Sequence, residues 1–278
     1  MANNNKLIGN LVQNMPFDDY INEPGYFHAS EIKLFGQSIN HWKTRNQQET
    51  TDGLRLGSAG HTTLLEFDQF NNRYLVMPKV DARTKAGKEQ KFLAEEQAKK
   101  EEKILITQEE WTQILNWREN IHDDEIVSDL FVKNLGKNEI SGFFEHPIIS
   151  DVKGCFRADK LLEDKLLCID LKFMLSAHPF AFSSAVKKFR YDIQASWYLD
   201  GLKAITGNDY DFLFVVCEKS RPWNVQTYRL DQESLDRGRD DTRQFLARYK
   251  EYRDASENEK KRLTGYYNGI QTLNIRWY

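Results

Sequence analysis

An α/β fold, with a central mixed sheet flanked by helices, is what this sequence predicts, and three stretches carry that reading. Residues 155–173, CFRADKLLEDKLLCIDLKF, read as two strands joined by a tight turn. The segment RYDIQASWYLDG that follows has helical spacing of its apolar residues. Residues 211–219, DFLFVVCEK, are a continuous apolar run of the kind a strand buried on both faces requires.

Residues 1–27 are expected to form an irregular lead-in, because Pro16, Pro24 and Gly25 interrupt any pattern. Residues 28–278 then read as a single domain, with no repeat or linker to divide them. HASEIKLFGQSINHWKTR predicts a helix capped by Ser30, with Ile32, Phe35 and Trp42 turned to the core. Lys33, Lys43 and Arg45 place positive charge where that helix could meet a phosphate. In residues 53–78, Gly57, Ala59 and Gly60 allow close backbone approach, and His61, Leu64 and Leu65 follow at helical spacing before a strand-like RYLVM. Residues 80–111 hold a basic cluster, Arg83, Lys85, Lys88 and Lys91. The three lysines step by three and share a helix face able to contact a phosphate backbone.

A helix over 107–130 opens with a capping box, Thr107 and Glu110, and offers Trp111, Ile114, Leu115, Trp117 and Ile121 to the core. Residues 138–151 read as a strand leading into the hairpin. Gly207 is expected to end the helix after the hairpin, and 224–230 to be a short strand. A helix over 232–255 carries Leu235, Phe245, Leu246, Tyr249 and Tyr252 on its apolar side, ahead of an aromatic tail.

Composition narrows the function classes. The chain has 278 residues, 40% of them hydrophobic and 13% aromatic, which is ample for a core. It shows no signal-peptide pattern and no run of about 18 to 20 apolar residues, so a soluble, cytoplasmic protein without membrane contact is expected. Cys155, Cys168 and Cys217 are odd in number and sit in apolar stretches, which predicts buried thiols and excludes a four-cysteine iron–sulfur site. A formal charge of −3 gives no global attraction to nucleic acid, so any such contact must come from local patches.

The chemistry gathers on the hairpin. Strand side chains alternate, so Cys168, Asp170 and Lys172 share one face while Ile169 and Leu171 point to the other. Asp170 and Lys172 stand about 6 to 7 Å apart. A turn over 163–166 that pairs Leu162 with Leu167 sets Asp159 opposite Asp170, and two converging carboxylates raise each other's pKa unless a cation neutralises them. Hard Mg²⁺ is the natural partner, and it can activate water and stabilise charge on a phosphate. Lys172 could orient or deprotonate that water, or hold the phosphate. The D-x-K pair alone is common by chance. On the next helix Tyr191, Gln194 and Tyr198 lie on one stripe.

Together Arg157-Ala158-Asp159, Asp170-Leu171-Lys172 and Gln194 to Tyr198 resemble the RxD, DxK and QxxxY motifs of the PD-(D/E)XK nuclease superfamily. The text is most similar to the RecE-type (exonuclease VIII-like) phage exonucleases, and more distantly to lambda exonuclease. Gly57, His61 and Leu65-Glu66 match a further RecE-type pattern, as does A-R-T-K-A-G-K-E at 82–89. The likeness runs in order over residues 28–278.

It implies a restriction-endonuclease-like core and a Mg²⁺-dependent exonuclease, with Mn²⁺ able to substitute, that digests linear double-stranded DNA from 5′ to 3′. The alternatives are an endonuclease on the same core and an inactive DNA-binding scaffold. Asp159, Asp170 and Glu139, the Leu171 carbonyl and His61 become the implied metal set, with Lys172, Gln194 and Tyr198 completing the catalytic one. A glutamate at the start of the strand before the hairpin favours Glu139 over Glu145, which lies about 20 Å further along. Arg83, Lys85, Lys88, Lys187, Lys188 and Arg190 are the expected DNA contacts. A ring-shaped trimer or tetramer and a RecT- or Red beta-like single-strand annealing partner are also implied, as is expression in a bacterial host if the chain is phage-encoded. Phe173-Met174 departs from the small hydroxyl residues usual after the motif lysine.

Overall fold

A computed structural model describes residues 7–45, 52–81, 83–131 and 136–266. Within them, β1 (Asn10–Val12), α1 (Phe17–Asn22), β2 (Phe27–His28), α2 (Ala29–Gln37), α3 (Ile39–Lys43) and α4 (Asp52–Leu65) come first. Then follow α5 (Phe70–Arg73), β3 (Tyr74–Val76), α6 (Lys85–Lys100), β4 (Ile104–Ile106), α7 (Gln108–Asp123) and α8 (Glu125–Phe131). The second half holds β5 (Lys137–Glu145), β6 (Lys153–Leu162), β7 (Leu167–Met174), α9 (Pro179–Phe189) and α10 (Tyr191–Thr206). It closes with β8 (Asp211–Glu218), β9 (Val225–Tyr228), α11 (Gln232–Asp254) and α12 (Glu257–Leu263).

The expected mixed sheet is present, in the order β1-β5-β6-β7-β8-β9 with β2 also on β6. Antiparallel pairs join β1 to β5, β5 to β6, β6 to β7 and β8 to β9, while β7 and β8 run parallel through the crossover α9–α10. One face carries α2, α10 and α11 over a core of Phe35, Phe144, Phe156, Trp197, Leu202 and Phe214. The other carries α4 and α7 over Trp117, Ile169, Leu171, Leu213 and Val215. Alternation along β7 sorts as expected: Cys168 enters the first core, Ile169 and Leu171 the second. All three cysteines are buried and free. Among the described residues no helix is long and apolar enough to cross a membrane.

Several local expectations are corrected. His28, not Ser30, caps α2, and it shares a capping box with Glu31. The helix expected over 28–45 is broken at Ser38, whose extended backbone ends α2 and whose hydroxyl accepts from the His41 N–H to start α3. The helix from Thr107 opens with its predicted capping box but breaks at Asp124, and Leu115 is 38% exposed rather than in the core. The strand expected over 138–151 stops at Glu145. The described part of the lead-in is not irregular: β1 extends the sheet on β5, and Tyr20 and Tyr26 bury against Phe143 and Cys155. Gly207 does end α10, at φ +74°, and the continuation of the aromatic tail past Tyr266 lies outside the described residues.

What positions the site is a fork between β6 and β7. β6 is paired with β2 at Gly154 and Cys155 and with β7 only from Lys160 to Leu162. Because β5 occupies the opposite edge of β6, residues 156–159 face an opening, and Asp170 to Lys172 border it from β7, whose other edge is bonded to β8. The turn pairs Leu162 with Leu167 as the sequence suggests. The ladder ends one step before Asp159 would meet Asp170.

Candidate active site

The fork lets a side chain take the place of a backbone carbonyl. Asp159 Oδ2 accepts the Leu171 N–H at 2.6 Å. Since the N–H and C=O of one strand residue point the same way, the Leu171 carbonyl is also directed to the fork. Alternation slips at this level: Ala158 and Leu161, three residues apart, both enter the first core. Across the ladder the slip is matched by Glu139, which lies in the left-handed region at φ +53° between the pairs Asn138↔Lys160 and Ile140↔Ala158. A non-glycine residue there is strained, and such strain often accompanies a functional position.

The outcome is a cluster of ligand-type atoms. His61 on α4, Glu139 on β5 and Asp159 on β6 each bring one such atom within 4.8 Å of the others. His61 Nδ1 is 3.6 Å from Asp159 Oδ2. Burial, then Lys172, holds the imidazole down to about 4 against the pull of Asp170, so it is neutral with a lone pair to offer. Its ring is set by Phe173, edge-on with centroids 5.2 Å apart. Phe173 in turn occupies the space over Gly60, where a Cβ would lie 2.7 Å from the ring. The aromatic after the motif lysine therefore positions the histidine.

Asp170 is engaged differently from the sequence expectation. It is buried, and its Oδ2 lies 2.5 Å from Lys172 Nζ while Oδ1 accepts from Gln194 Nε2 at 2.6 Å. Lys172 Nζ donates to Gln194 Oε1 at 3.2 Å, which closes a triangle. Oδ2 is thus a buried oxygen whose close partner is the Lys172 ammonium. For Asp159, burial, then Asp170 and then Glu139, raises the carboxyl well above its ordinary value. Burial alone would lower Lys172, but Asp170, Tyr191 and Asp159 together leave it raised. Tyr198 is buried at the floor, with its ring 5.2 Å from Phe156.

Arg157 ties the cluster to the lead-in. Its Nε donates to Glu139 Oε2 at 2.6 Å, and Nη1 donates to the Met15 carbonyl at 2.9 Å and to Ser141 Oγ at 3.0 Å. A cavity of about 710 Å³ opens over these groups. Its wall includes Met15, Phe17 and Tyr20 from the lead-in, Glu66 and Arg73 from the α4–α5 region, and Gln194 and Tyr198 from α10. Glu145 sits at the far end of β5 opposite Lys153, away from this cavity.

The expected DNA contacts separate into two kinds. Lys85, Lys88, Lys187 and Lys188 are exposed, as is Arg83. The first two lie on α6, which packs on β4 and does not line the cavity; Lys187 and Lys188 end α9 rather than starting the next helix. Arg190 is placed differently from these. Its guanidinium is held by Asp192 at 2.7 Å and by Asp241 at 2.5 Å, so its charge is neutralised within the fold. Sequence reasoning also missed how close Lys33 comes to the site. Lys33 and Lys172 lie 5.4 and 4.6 Å from the centroid of the same Tyr191 ring. Burial and the neighbouring Lys172 pull the Lys33 ammonium down to about 7. The signal for the lead-in was available: aromatic residues at 17, 20, 26 and 27 are unusual in a segment left in solvent.

The residues present fit a divalent cation. They combine a neutral histidine, the Asp159 carboxyl that burial and its acidic neighbours push well above its ordinary value, the Glu139 carboxylate and a carbonyl directed to the fork. Comparison with solved structures finds a protein from Eubacterium rectale described as a "Putative exonuclease", with a TM-score of 0.60 and 14% identity, covering 95% of this chain and 97% of that one. A phage-related exonuclease from Haemophilus somnus overlaps more weakly, with a TM-score of 0.31 and 16% identity over 80% of this chain and 92% of that one, and carries no weight here. At such identities the first likeness shows the fold alone. None of the curated proteins matches the sequence. Residues 27–262 match the model of a family described as a PDDEXK-like domain of unknown function (DUF3799), and the chain belongs to that family.

Proposed function

We propose that this protein is a divalent-metal-dependent exodeoxyribonuclease of the RecE type, distantly similar to lambda exonuclease, acting on the ends of linear double-stranded DNA. The observation that carries this reading is the conjunction, at one fork in the sheet, of the His61, Glu139 and Asp159 ligand atoms with the Asp170, Lys172 and Gln194 triangle. The PDDEXK-like family membership supports it.

Asp159, Glu139 and His61, with Asp170 and the Leu171 carbonyl, would hold the cation. Mg²⁺, or Mn²⁺ in its place, would supply a Lewis acid and an activated water. The chain's own residues then have distinct tasks. Lys172, which lines the cavity, holds a non-bridging oxygen of the scissile phosphate, where its charge counts most as negative charge develops. Gln194 fixes both Asp170 and Lys172 through its two amide atoms. Tyr198 closes the floor against water. The exposed lysines 85, 88, 187 and 188 meet backbone phosphates, which gives binding that is indifferent to sequence and falls steeply with salt.

The motif likeness further supports 5′ to 3′ digestion that leaves a 3′ single strand, a ring-shaped trimer or tetramer, and a strand-annealing partner of the RecT or Red beta type in a recombination role. The deciding experiment is digestion of linear against covalently closed circular duplex, with Mg²⁺ and with chelator. Metal-dependent loss of the linear form alone is the expected result. Cutting of closed circles would favour an endonuclease, and inert but retained DNA a binding scaffold.

A further inference from the structure

Isolated apolar residues on a protein surface are ordinary. Phe17 differs in where it is held. It is 59% exposed and forms part of the wall of the cavity over the ligand cluster, whereas the more exposed Leu175 and Phe180 lie outside that cavity. The ring is also carried on a fixed support. β1 is bonded to β5, the Met15 carbonyl is held by Arg157, and Tyr20, three residues on, is buried with its ring centroid 6.3 Å from that of Phe17. Arg157 lies 5.8 Å from the Tyr20 ring and grips Glu139, so a continuous set of contacts runs from Phe17 to the carboxylates.

A solvated aromatic face beside a phosphodiester site has a natural occupant. The carboxylates and Lys172 deal with the phosphate, whereas the base on the adjoining sugar gains from a planar apolar surface. Every base has such a face, so stacking on an aromatic side chain is strong and tolerant of sequence. A cavity of about 710 Å³ has room for a nucleotide. Building on the nuclease reading above, we infer that Phe17 stacks on the nucleobase adjoining the scissile phosphate. Phe17 is thus a substrate-binding residue that grips the terminal nucleotide through its base, whatever that base is.

The test compares wild type with Phe17→Ala, Phe17→Leu and Phe17→Tyr on linear duplexes ending either in a normal nucleotide or in an abasic residue, placed on each strand in turn. Phe17→Ala should lower kcat/KM on the normal end by about 5- to 100-fold, mainly through KM, with turnover at saturation kept. Phe17→Tyr should restore it, and Phe17→Leu should not. The abasic end should cost wild type a similar factor and cost Phe17→Ala nothing more, because the two changes remove the same contact. An unchanged melting temperature verifies that the exposed position leaves the fold intact.

Equal rates for Phe17→Ala and wild type, full activity in Phe17→Leu, or losses that multiply on the abasic end would each overturn the inference while leaving the nuclease reading standing. A wild-type protein that neither binds nor cuts either duplex removes both.

Discussion

The β6–β7 hairpin and the lead-in of residues 7–28 line the same cavity, yet they contribute to it in opposite ways. The hairpin acts through charged side chains: Asp170 and Lys172 reach the cavity by the alternation of β7, and Asp159 by the slip in β6. The lead-in offers a backbone carbonyl to Arg157 and sinks Tyr20 and Tyr26 into a small core, leaving Phe17 on the rim. Its contribution is a wall and an anchor. The contrast teaches that the reactive set and the surface that shapes it can come from segments with entirely different sequence signatures.

If this division is correct, the largest effects belong to the hairpin. Asp170→Asn removes charge with little change in volume, and should cut turnover on linear duplex by about a thousandfold while the protein still folds and binds DNA. A folded Asp170→Asn protein with full activity would move the chemistry elsewhere. Lys172→Ala should lower turnover by about a hundredfold or more, with little change in the affinity for duplex measured in Ca²⁺. Weak binding with normal turnover at saturation would instead make Lys172 a binding residue, and would blur the line between the two regions.

The link between them is Arg157. Arg157→Met leaves the partly buried Glu139 without its partner and frees the Met15 carbonyl, which should cost roughly 3 kcal/mol in denaturant unfolding. The same variant should show new protease cleavage within residues 7–28 before the rest of the chain is cut. If residues 7–28 stay protected, the lead-in is held by β1 and its aromatic residues alone, and the comparison must be redrawn.

A separate effect, on stability alone, concerns Lys33, on the helix that follows the lead-in. Lys172 and Arg190 oppose its charge and Asp170 and Asp192 favour it, but burial dominates and holds the group to about 7. The unfolded chain keeps that proton up to about pH 10. Below about pH 7 the folded protein therefore carries the full cost of a buried ammonium, and the cost fades as pH rises between the two values. Lys33→Met should raise the melting temperature most near pH 6 and progressively less toward pH 10. A gain independent of pH would mean that Lys33 is neutral or solvated throughout.

Much of the site's raw material was legible because it is encoded within a few residues. Alternation gave the faces of β7, the pairing of Leu162 with Leu167 followed from a short turn, and the spacing of Gln194 and Tyr198 put both on one helical stripe. The capping box at Thr107 and Glu110 is equally local. The helix breaks at Ser38 and Asp124 were not readable, since a helix-compatible pattern continues through both and packing of the flanking helices decides where the chain turns.

Sequence by itself, then, determined an α/β chain with a strand hairpin bearing two aspartates and a lysine beside a helix bearing a glutamine. Tertiary structure alone decided which of these groups meet. It opened the fork that gives Asp159 the Leu171 N–H, brought His61 and Glu139 to Asp159, and turned Asp170 to Lys172 and Gln194. It also set Asp241 against Arg190 across 51 positions of chain and placed Lys33 beside Lys172. The reason is one of range. Periodicity fixes the direction of a side chain within its own element, whereas charge pairing and desolvation depend on distances of a few ångströms between elements, and only the packed core sets those.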